Sequence, residues 1–272
     1  MTSLLSAGAA PASAIDSSYA WMRLALALVL GTIGSVGMWS FVVALPAVQS
    51  DFGVARAEAS LPFTLTMIGF GVGGIVMGRL ADRFGIVLPV VLGAIALGVG
   101  YGLSGLAGTL WQFALAQGLL GLGSAATFGP LMTDMSHWFA RRRGIAVAIA
   151  SCGNYLAGTI WPPIIQQFIA TDGWRATQIG IGVICVAAIV PLALVLRRRP
   201  PPHQETDSFA MAAGARDALG VSANALMVLL CVAGVACCVA MSMPQVHIVA
   251  YCGDLGYGPA RGAEMLDRKS VV

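Results

Sequence analysis

The sequence predicts an all-α membrane protein, with a bundle of six transmembrane helices followed by a seventh helix. The first observation is composition: 58% of the residues are apolar and 10% are charged, whereas soluble domains carry about 25% charged residues. The second is that long intervals carry no charge, namely 24–50, 59–78, 84–133, 144–171, 176–196 and 218–253. The third is that these intervals are continuously apolar, which favours helices over the alternating strands of a barrel.

The number of helices in each interval follows from the length of chain that is needed to cross a membrane. A transmembrane helix needs about 20 apolar residues, so the longest interval holds two helices separated near 104–109, and every other interval holds one. The predicted spans are 24–48, 59–78, 86–105, 110–132, 144–169, 176–196 and 222–249.

The same reading divides the chain into five parts. Residues 1–20 are expected to be a disordered cytoplasmic tail, 21–196 the six-helix bundle, and 197–221 a cytoplasmic linker that opens with three arginines and three prolines. Residues 222–266 are expected to be the first helix of a truncated second bundle with its outer loop. Residues 267–272 contain the only lysine, Lys269, and are predicted to be a non-native tail.

The distribution of arginine predicts the orientation. Cytoplasmic loops are enriched in Lys and Arg, and a secretory signal would need a positive segment ahead of its apolar run, which the first 20 residues lack. With the N-terminus inside, the inner side holds Arg23, Arg79, Arg83, Arg141, Arg142, Arg143, Arg197, Arg198, Arg199 and Arg216, and the outer side holds Arg56, Arg175 and Arg261. We therefore predict a multi-pass protein of the cell inner (plasma) membrane with a cytoplasmic N-terminus, in contact with membrane lipids.

Several function classes are excluded by the same composition. The six cysteines lie in or beside predicted helices without the spacing of a metal site, and they are interpreted as small packing residues. The net charge of +3 is spread over separate loops, so nucleic acid is not an expected partner. We expect no metal, no cofactor and no enzymatic activity.

A charged octet follows the second predicted span. Gly78-Arg79-Leu80-Ala81-Asp82-Arg83-Phe84-Gly85 resembles the loop 2–3 signature of the major facilitator superfamily. The resemblance implies a conformational latch between two helical bundles, formed here by Gly78, Asp82, Arg83 and Gly85. Arg79 and Arg83 are expected to pair with acids at helix ends, and Asp134 at the end of the fourth span is the predicted partner.

A second segment narrows the resemblance. His137-Trp138-Phe139-Ala140-Arg141-Arg142-Arg143-Gly144, continuing into Ser151-Cys152-Gly153-Asn154-Tyr155, is similar to the monocarboxylate and oxalate/formate branch of that superfamily. The resemblance implies a secondary transporter that moves a small organic anion, with protons as a possible second partner. Arg141, Arg142 and Arg143 are assigned to the latch.

Candidate substrate contacts lie on three spans. Asn154, Gly158 and Trp161 share one face of the fifth helix at helical spacing, just before Pro162-Pro163, and Tyr155 belongs to the same motif. Asn154 could equally bond a neighbouring helix. Gln117, on the fourth span, stands where many proton-coupled members of the family carry arginine.

His247 and Tyr251 align on the seventh helix. An imidazole in the membrane is costly unless it lines water or titrates, so His247 is a candidate for proton or anion handling; a plain hydrogen bond at the outer interface is the alternative. No acid or base lies deep in spans one to six. In the resembled branch an arginine of the eighth helix commonly binds the carboxylate, so that anion anchor is expected to be absent from this chain, and we expect the 272-residue chain alone to transport little.

Two other classes remain as alternatives. Gly102-Leu103-Ser104-Gly105 matches the G-x-S-G form of rhomboid-type intramembrane proteases, with His247 as the conceivable base. A sensor or assembly subunit without transport is the other. Labelling of Ser104 by a fluorophosphonate would identify the protease, and absence of flux at full length would identify the subunit.

Overall fold

The computed structural model describes residues 15–198 and 222–255, which form helices and turns throughout. The helices are α1 (Ser18–Gly34), α2 (Val36–Phe52), α3 (Arg56–Ala59), α4 (Leu61–Phe84), α5 (Val87–Leu106), α6 (Leu110–Ala125), α7 (Gly129–Trp138), α8 (Arg143–Asp172), α9 (Trp174–Val195) and α10 (Ala223–Asp254). The first span begins earlier than predicted, because Ser17 caps α1 by accepting from the Ala20 N–H. The predicted linker and both ends of the chain lie largely outside the described residues.

Within residues 15–198 and 222–255, five helical segments are long and apolar enough to cross a membrane: Ser18–Phe52, Ala57–Phe84, Val87–Leu106, Arg143–Asp172 and Trp174–Val195. The predicted fourth span is present as two shorter helices, α6 and α7. The predicted seventh span is α10, in which Asn224–Cys237 is a shorter apolar helical stretch. The all-α membrane fold predicted from the sequence is therefore confirmed.

Two spans that were predicted as single helices are each interrupted. The first breaks at Ser35 between α1 and α2, and the fourth breaks between Ala125 and Gly129. The two breaks face each other, because a Cβ on Gly34 would collide with the side chain of Thr127. Glycine at this point removes the side chain that would hold the two breaks apart.

The charged octet is mostly helical and is not the turn that the sequence suggested. Gly78 to Phe84 continue α4 to its end, and the chain reverses at Gly85, whose φ is 85°. A positive φ favours glycine, which explains why the helix ends there. Likewise α8 runs through Pro162 and Pro163 without ending.

Close helix contacts in the bundle rely on glycine. A Cβ on Gly69 of α4 would collide with the backbone of Gly118 on α6, and one on Gly121 would collide with the backbone of Thr66. Gly98 and Gly182 bring α5 and α9 together in the same way, each meeting the other helix. Because lipid gives helices little hydrophobic drive to associate, these backbone approaches supply the packing contacts.

The buried side chains form two clusters at opposite ends of the bundle. The first surrounds Trp138, Phe139 and Leu24, and extends along α5 and α9. The second is aromatic and contains Phe41, Phe63 and further rings. Its rings are 5.5–6.4 Å apart, and they belong to Phe41, Phe52, Phe63, Phe113 and Trp174.

Candidate functional site

The predicted polar face of α8 is packed against the first span. The Trp161 indole Nε1–H donates to the backbone oxygen of Thr32 on α1 at 2.8 Å. A Cβ on Gly158 would lie 2.5 Å from the ring of Trp39 on α2, so this ring packs flat against the glycine. The only hydrogen-bond donor of the Trp161 side chain therefore links α8 to α1.

Two polar atoms on this face have no hydrogen-bond partner among the described residues: Trp39 Nε1 and Asn154 Oδ1. Trp39 contacts Gly158, one helical turn from Asn154. Buried polar groups normally have a partner, so an unpaired donor and an unpaired acceptor that both lie within one helical turn of Gly158 are suited to a polar ligand. Tyr155 lies next to them in sequence and is half exposed. The sequence did not single out Trp39, since a tryptophan in an apolar run has the same pattern as a packing residue.

Gln117 lies inside the bundle and does not share that face. It is fully buried, and its Oε1 lies 3.5 Å from the Thr66 hydroxyl of α4, whose single proton is donated to the Pro62 carbonyl at 2.9 Å. Its Nε2 has no partner within the described part of the chain. In this conformation the side chain bridges α4 and α6.

The remaining predicted contacts lie on α10, which packs against the bundle through α2. Tyr251 is exposed, and the side chain of His247 lies outside the described residues. Ser104, the nucleophile of the protease alternative, is fully buried on α5. The structure therefore packs Trp39 against the α8 face that carries Asn154 and Trp161, and it places Gln117 elsewhere.

Asp134 has a different partner from the one predicted. It is nearly buried at 7% exposure, and its Oδ2 lies 2.8 Å from Nε of the fully buried Arg23. Arg79 and Arg83, the predicted partners, are exposed at the end of α4, where Arg83 lies over the Phe84 ring. The sequence signal for the true partner was the cation Arg23, placed within the first span at the start of an apolar run.

Arg23 connects three spans at one end of the bundle. Its Nη1–H groups donate to the Leu196 carbonyl at 3.1 Å and to the Tyr19 hydroxyl at 3.4 Å. Its guanidinium carbon lies 4.7 Å from the centre of the Trp138 ring. This Arg23 cluster neutralises a buried charge and joins the ends of α1, α7 and α9.

Arg175 occupies the equivalent place at the opposite end. Its Nη2 lies 2.8 Å from Oδ2 of Asp51, and its Nη1–H donates to the Ala107 carbonyl. The guanidinium carbon lies 4.5 Å from the centre of the Trp174 ring and 5.7 Å from that of Phe52. This Arg175 cluster joins the ends of α2, α5 and α9, but its charged side chains stay about 40% exposed.

Among the described residues, no group of three or more His, Cys, Asp or Glu side chains is arranged to hold a metal ion. The arrangement is a bundle of membrane-length helices, tied at both ends by arginine clusters. Trp39, Gln117 and Asn154 each carry an unpaired polar atom within the spans. These features define a multi-pass membrane protein with a candidate binding face.

Comparison with known proteins identifies the family. The Major Facilitator Superfamily model matches residues 27–266, and the chain belongs to this superfamily of transporters, which is not an enzyme class. The resemblance seen in the sequence is thereby confirmed.

The chain is similar to several members of the superfamily. Monocarboxylate transporter 11 of Homo sapiens is 26% identical over 91% of this chain and 52% of its own length. Monocarboxylate transporter 6 of Homo sapiens is 30% identical over 71% and 41%, and MFS-type transporter pynF of Aspergillus niger is 35% identical over 50% and 31%. A solved peptide transporter POT overlaps with 85% of this chain and 49% of its own, at 17% identity and a TM-score of 0.49. The chain thus spans about a third to a half of the length of these relatives.

Proposed function

We propose that this chain supplies the first bundle and one further helix of a secondary active transporter. Its substrate is a small organic anion, a monocarboxylate or a related carboxylate, and it moves by alternating access of a site near the midplane. The observation that carries the proposal is the similarity to monocarboxylate transporter 11 over 91% of this chain. The protein lies in the cell inner (plasma) membrane with its N-terminus in the cytoplasm.

Within the proposal, the face of α8 contributes to substrate binding. An indole N–H donates to carboxylate oxygens, so Trp39 is added to the proposed contacts Asn154, Tyr155 and Trp161 as a donor to the anion. Trp161 contributes its ring alone, since its own N–H is bonded to Thr32. The unpaired Trp39 donor supports this assignment, because a ligand would satisfy it. His247 and Tyr251 of α10 are also proposed to contribute to binding, and His247 to handle the proton.

Gln117 is a weaker candidate for direct contact with substrate. Its burial and its contact with Thr66 support a role in packing α4 beside α6. Gln117 is proposed to contact substrate only in a conformation in which α4 and α6 separate.

The latch is proposed to lie at the end of the bundle where the sequence concentrates arginine. Asp82 and Arg83 are exposed there, as are Arg141, Arg142 and Arg143, so a second bundle could bind them. Asp134 supports the latch indirectly in this proposal, because it is committed to Arg23.

Transport is tested with the complete gene product in proteoliposomes, by counterflow of radiolabelled small carboxylates. Saturable exchange is expected. Trp39→Phe is expected to lower uptake about tenfold, because it removes one indole N–H donor to a charged group. Asn154→Ala is expected to lower uptake to a similar extent, because it removes the amide Nδ2–H donors from which a carboxylate can accept. Gln167→Ala is the control, since Gln167 is exposed on the same helix. Failure of every carboxylate to exchange would reject the substrate class, and equal losses in all three variants would reject the site.

A second candidate keeps the transporter and changes the cargo. The similarity to MFS-type transporter pynF is higher in identity, 35%, although it covers half of this chain. The candidate is a transporter of another small-molecule class. Exchange of neutral metabolites without exchange of carboxylates in the same vesicles would favour it.

A further inference from the structure

A small cavity opens between the start of α1 and the start of α8. It has a volume of about 250 Å³ and is lined by Asp16, Trp21, Arg141 and Arg142. The cavity lies at the end of the bundle that carries the Arg23 cluster, which the arginine distribution predicts to be cytoplasmic. It is separate from the polar face of α8 described above.

The walls of this cavity are held by specific contacts. The Asp16 N–H donates to the Trp138 carbonyl at 3.1 Å, and the Arg141 N–H donates to Oδ2 of Asp16 at 3.1 Å. The Trp21 ring lies edge-on to Phe139, with centroids 5.2 Å apart and an interplanar angle of 80°. The two segments that carry the arginines and the tryptophan are therefore fixed relative to each other.

The charges of the lining residues favour an anion. Two arginines and one aspartate line the cavity, so it carries a net charge of about +1 when all three side chains are ionised. Arg142 is also the N-cap residue of the long helix α8; arginine has no acceptor atom to cap the helix N–H groups, so the partial positive charge of the helix start adds to the field. Arginine forks match phosphate oxygens in pairs.

The surroundings favour a phosphate that belongs to a lipid. Trp21 is 39% exposed near the start of a transmembrane span, where tryptophan is enriched at the membrane interface. Exposed apolar side chains continue from the cavity along the spans, Met22 on α1 and Ile145 on α8. They offer acyl chains a surface directly beside the two arginines.

We propose that this cavity binds the phosphodiester of an anionic phospholipid in the adjacent leaflet, with Arg141 and Arg142 as the phosphate ligands and Trp21 against the glycerol region. Asp16 orients the loop and opposes a second negative charge, because its carboxylate lines the cavity. A phosphodiester with one negative charge matches the net charge of the site better than inorganic phosphate, which is partly dianionic at neutral pH. This proposal does not depend on the transported substrate.

Native mass spectrometry of the purified 272-residue chain in detergent tests it, with phosphatidylglycerol and phosphatidylcholine as probes. We expect one phosphatidylglycerol to be retained in preference to phosphatidylcholine. The double substitution Arg141→Gln and Arg142→Gln is expected to weaken that binding at least about tenfold. Arg79→Gln with Arg83→Gln is the matched control: it removes two exposed arginines from the same end of the bundle, which do not line the cavity, and we expect less than about a twofold change.

Further variants and probes separate the remaining outcomes. The double substitution Arg141→Lys with Arg142→Lys keeps the charge but removes the two-pronged guanidinium, so an intermediate loss of phosphatidylglycerol binding is expected. If the glutamine variant loses its helical circular dichroism, the lysine variant takes its place in the comparison. Equal losses in the cavity variant and the control would show diffuse attraction of lipid to basic loops and overturn the proposal. Saturation of the site by millimolar inorganic phosphate, with no preference between the two lipids, would identify a free-ion site and also overturn it.

Discussion

At the scale of single residues, the two arginine clusters differ mainly in solvent exposure. Arg23 is fully buried and Asp134 nearly so, whereas Arg175 and Asp51 are each about 40% exposed. A buried charge that loses its partner leaves an uncompensated charge in a medium of low dielectric constant, whereas an exposed one is solvated by water. The same 2.8 Å ion pair therefore has a different energetic weight at the two ends.

The substitution Asp134→Asn is expected to destabilise the bundle strongly. It leaves the Arg23 guanidinium buried without its counter-charge, which costs about 3–5 kcal/mol. Thermal unfolding in detergent, followed by circular dichroism, measures the effect. Asp82→Asn is the control because Asp82 is an exposed acid at the same end, and it is expected to stay within about 0.5 kcal/mol of wild type. Equal stability of the two variants would contradict the buried cluster.

The substitution Arg175→Ala is expected to cost less. The exposed ion pair contributes at most about 1 kcal/mol, and contact of the guanidinium with the Trp174 and Phe52 rings adds about 0.5–1 kcal/mol. The same unfolding assay should rank Arg175→Ala between wild type and Asp134→Asn. A larger loss of unfolding free energy for Arg175→Ala than for Asp134→Asn would contradict the conclusion that the buried Arg23 pair stabilises the bundle more than the exposed Arg175 pair.

At the scale of helices, packing depends on which glycines face a neighbouring backbone. Gly69 and Gly73 of α4 meet α6, whereas a Cβ on Gly71, Gly74 or Gly78 would meet nothing within 4 Å. The sequence shows that the second span is rich in glycine. It could not show which glycines make the contact, because all of them lie in one apolar run and only the neighbouring helix distinguishes them.

Alanine at Gly69 and Gly74 should therefore have opposite effects on stability. Gly69→Ala forces α4 away from the Gly118 backbone, and overpacking of this kind costs about 1–3 kcal/mol. Gly74→Ala meets open space and replaces glycine within a helix, which stabilises by up to about 1 kcal/mol. The unfolding midpoints of the two variants, measured in one detergent, test this directly. Destabilisation by both to the same extent would show that α4 packs in a different rotation.

At the scale of the whole molecule, the ends of the spans are consistent with alternating crossings. The Arg23 cluster joins the start of α1 to the ends of α7 and α9. The Arg175 cluster collects the end of α2, the residue after α5 and the start of α9. The two ends of α9 thus belong to different clusters, and so do the start of α1 and the end of α2, which follows it directly. A chain that crosses the membrane back and forth requires this arrangement.

Orientation is a prediction that belongs to this scale. The arginine excess predicts that the Arg23 end is cytoplasmic, so a fluorescent protein fused at residue 1 should fluoresce in bacterial cells. A phosphatase fused after Gly108, in the short connection between α5 and α6, should be active outside the inner membrane. The reverse pattern would place the N-terminus outside and contradict the charge rule for this chain.

The sequence by itself determined the class of protein and the order of its spans. Long uncharged apolar runs have one stable environment, the membrane interior, and one backbone geometry that satisfies their polar groups there. The octet after the second span and the arginine-rich segment before the fifth then indicated the family through short motifs alone. These inferences succeed because they depend on composition and local spacing.

Only the tertiary structure decided which side chains meet. It assigned Asp134 to Arg23 instead of Arg79 or Arg83, buried Gln117 against Thr66, and placed the Trp39 ring beside Gly158. It also showed that the helices of the first and fourth spans are interrupted at the point where Gly34 lies against Thr127. Each of these contacts joins residues far apart in the chain, and the physical reason they escaped prediction is that hydrophobic periodicity fixes the face of a helix but not the rotation and depth of the helix packed against it.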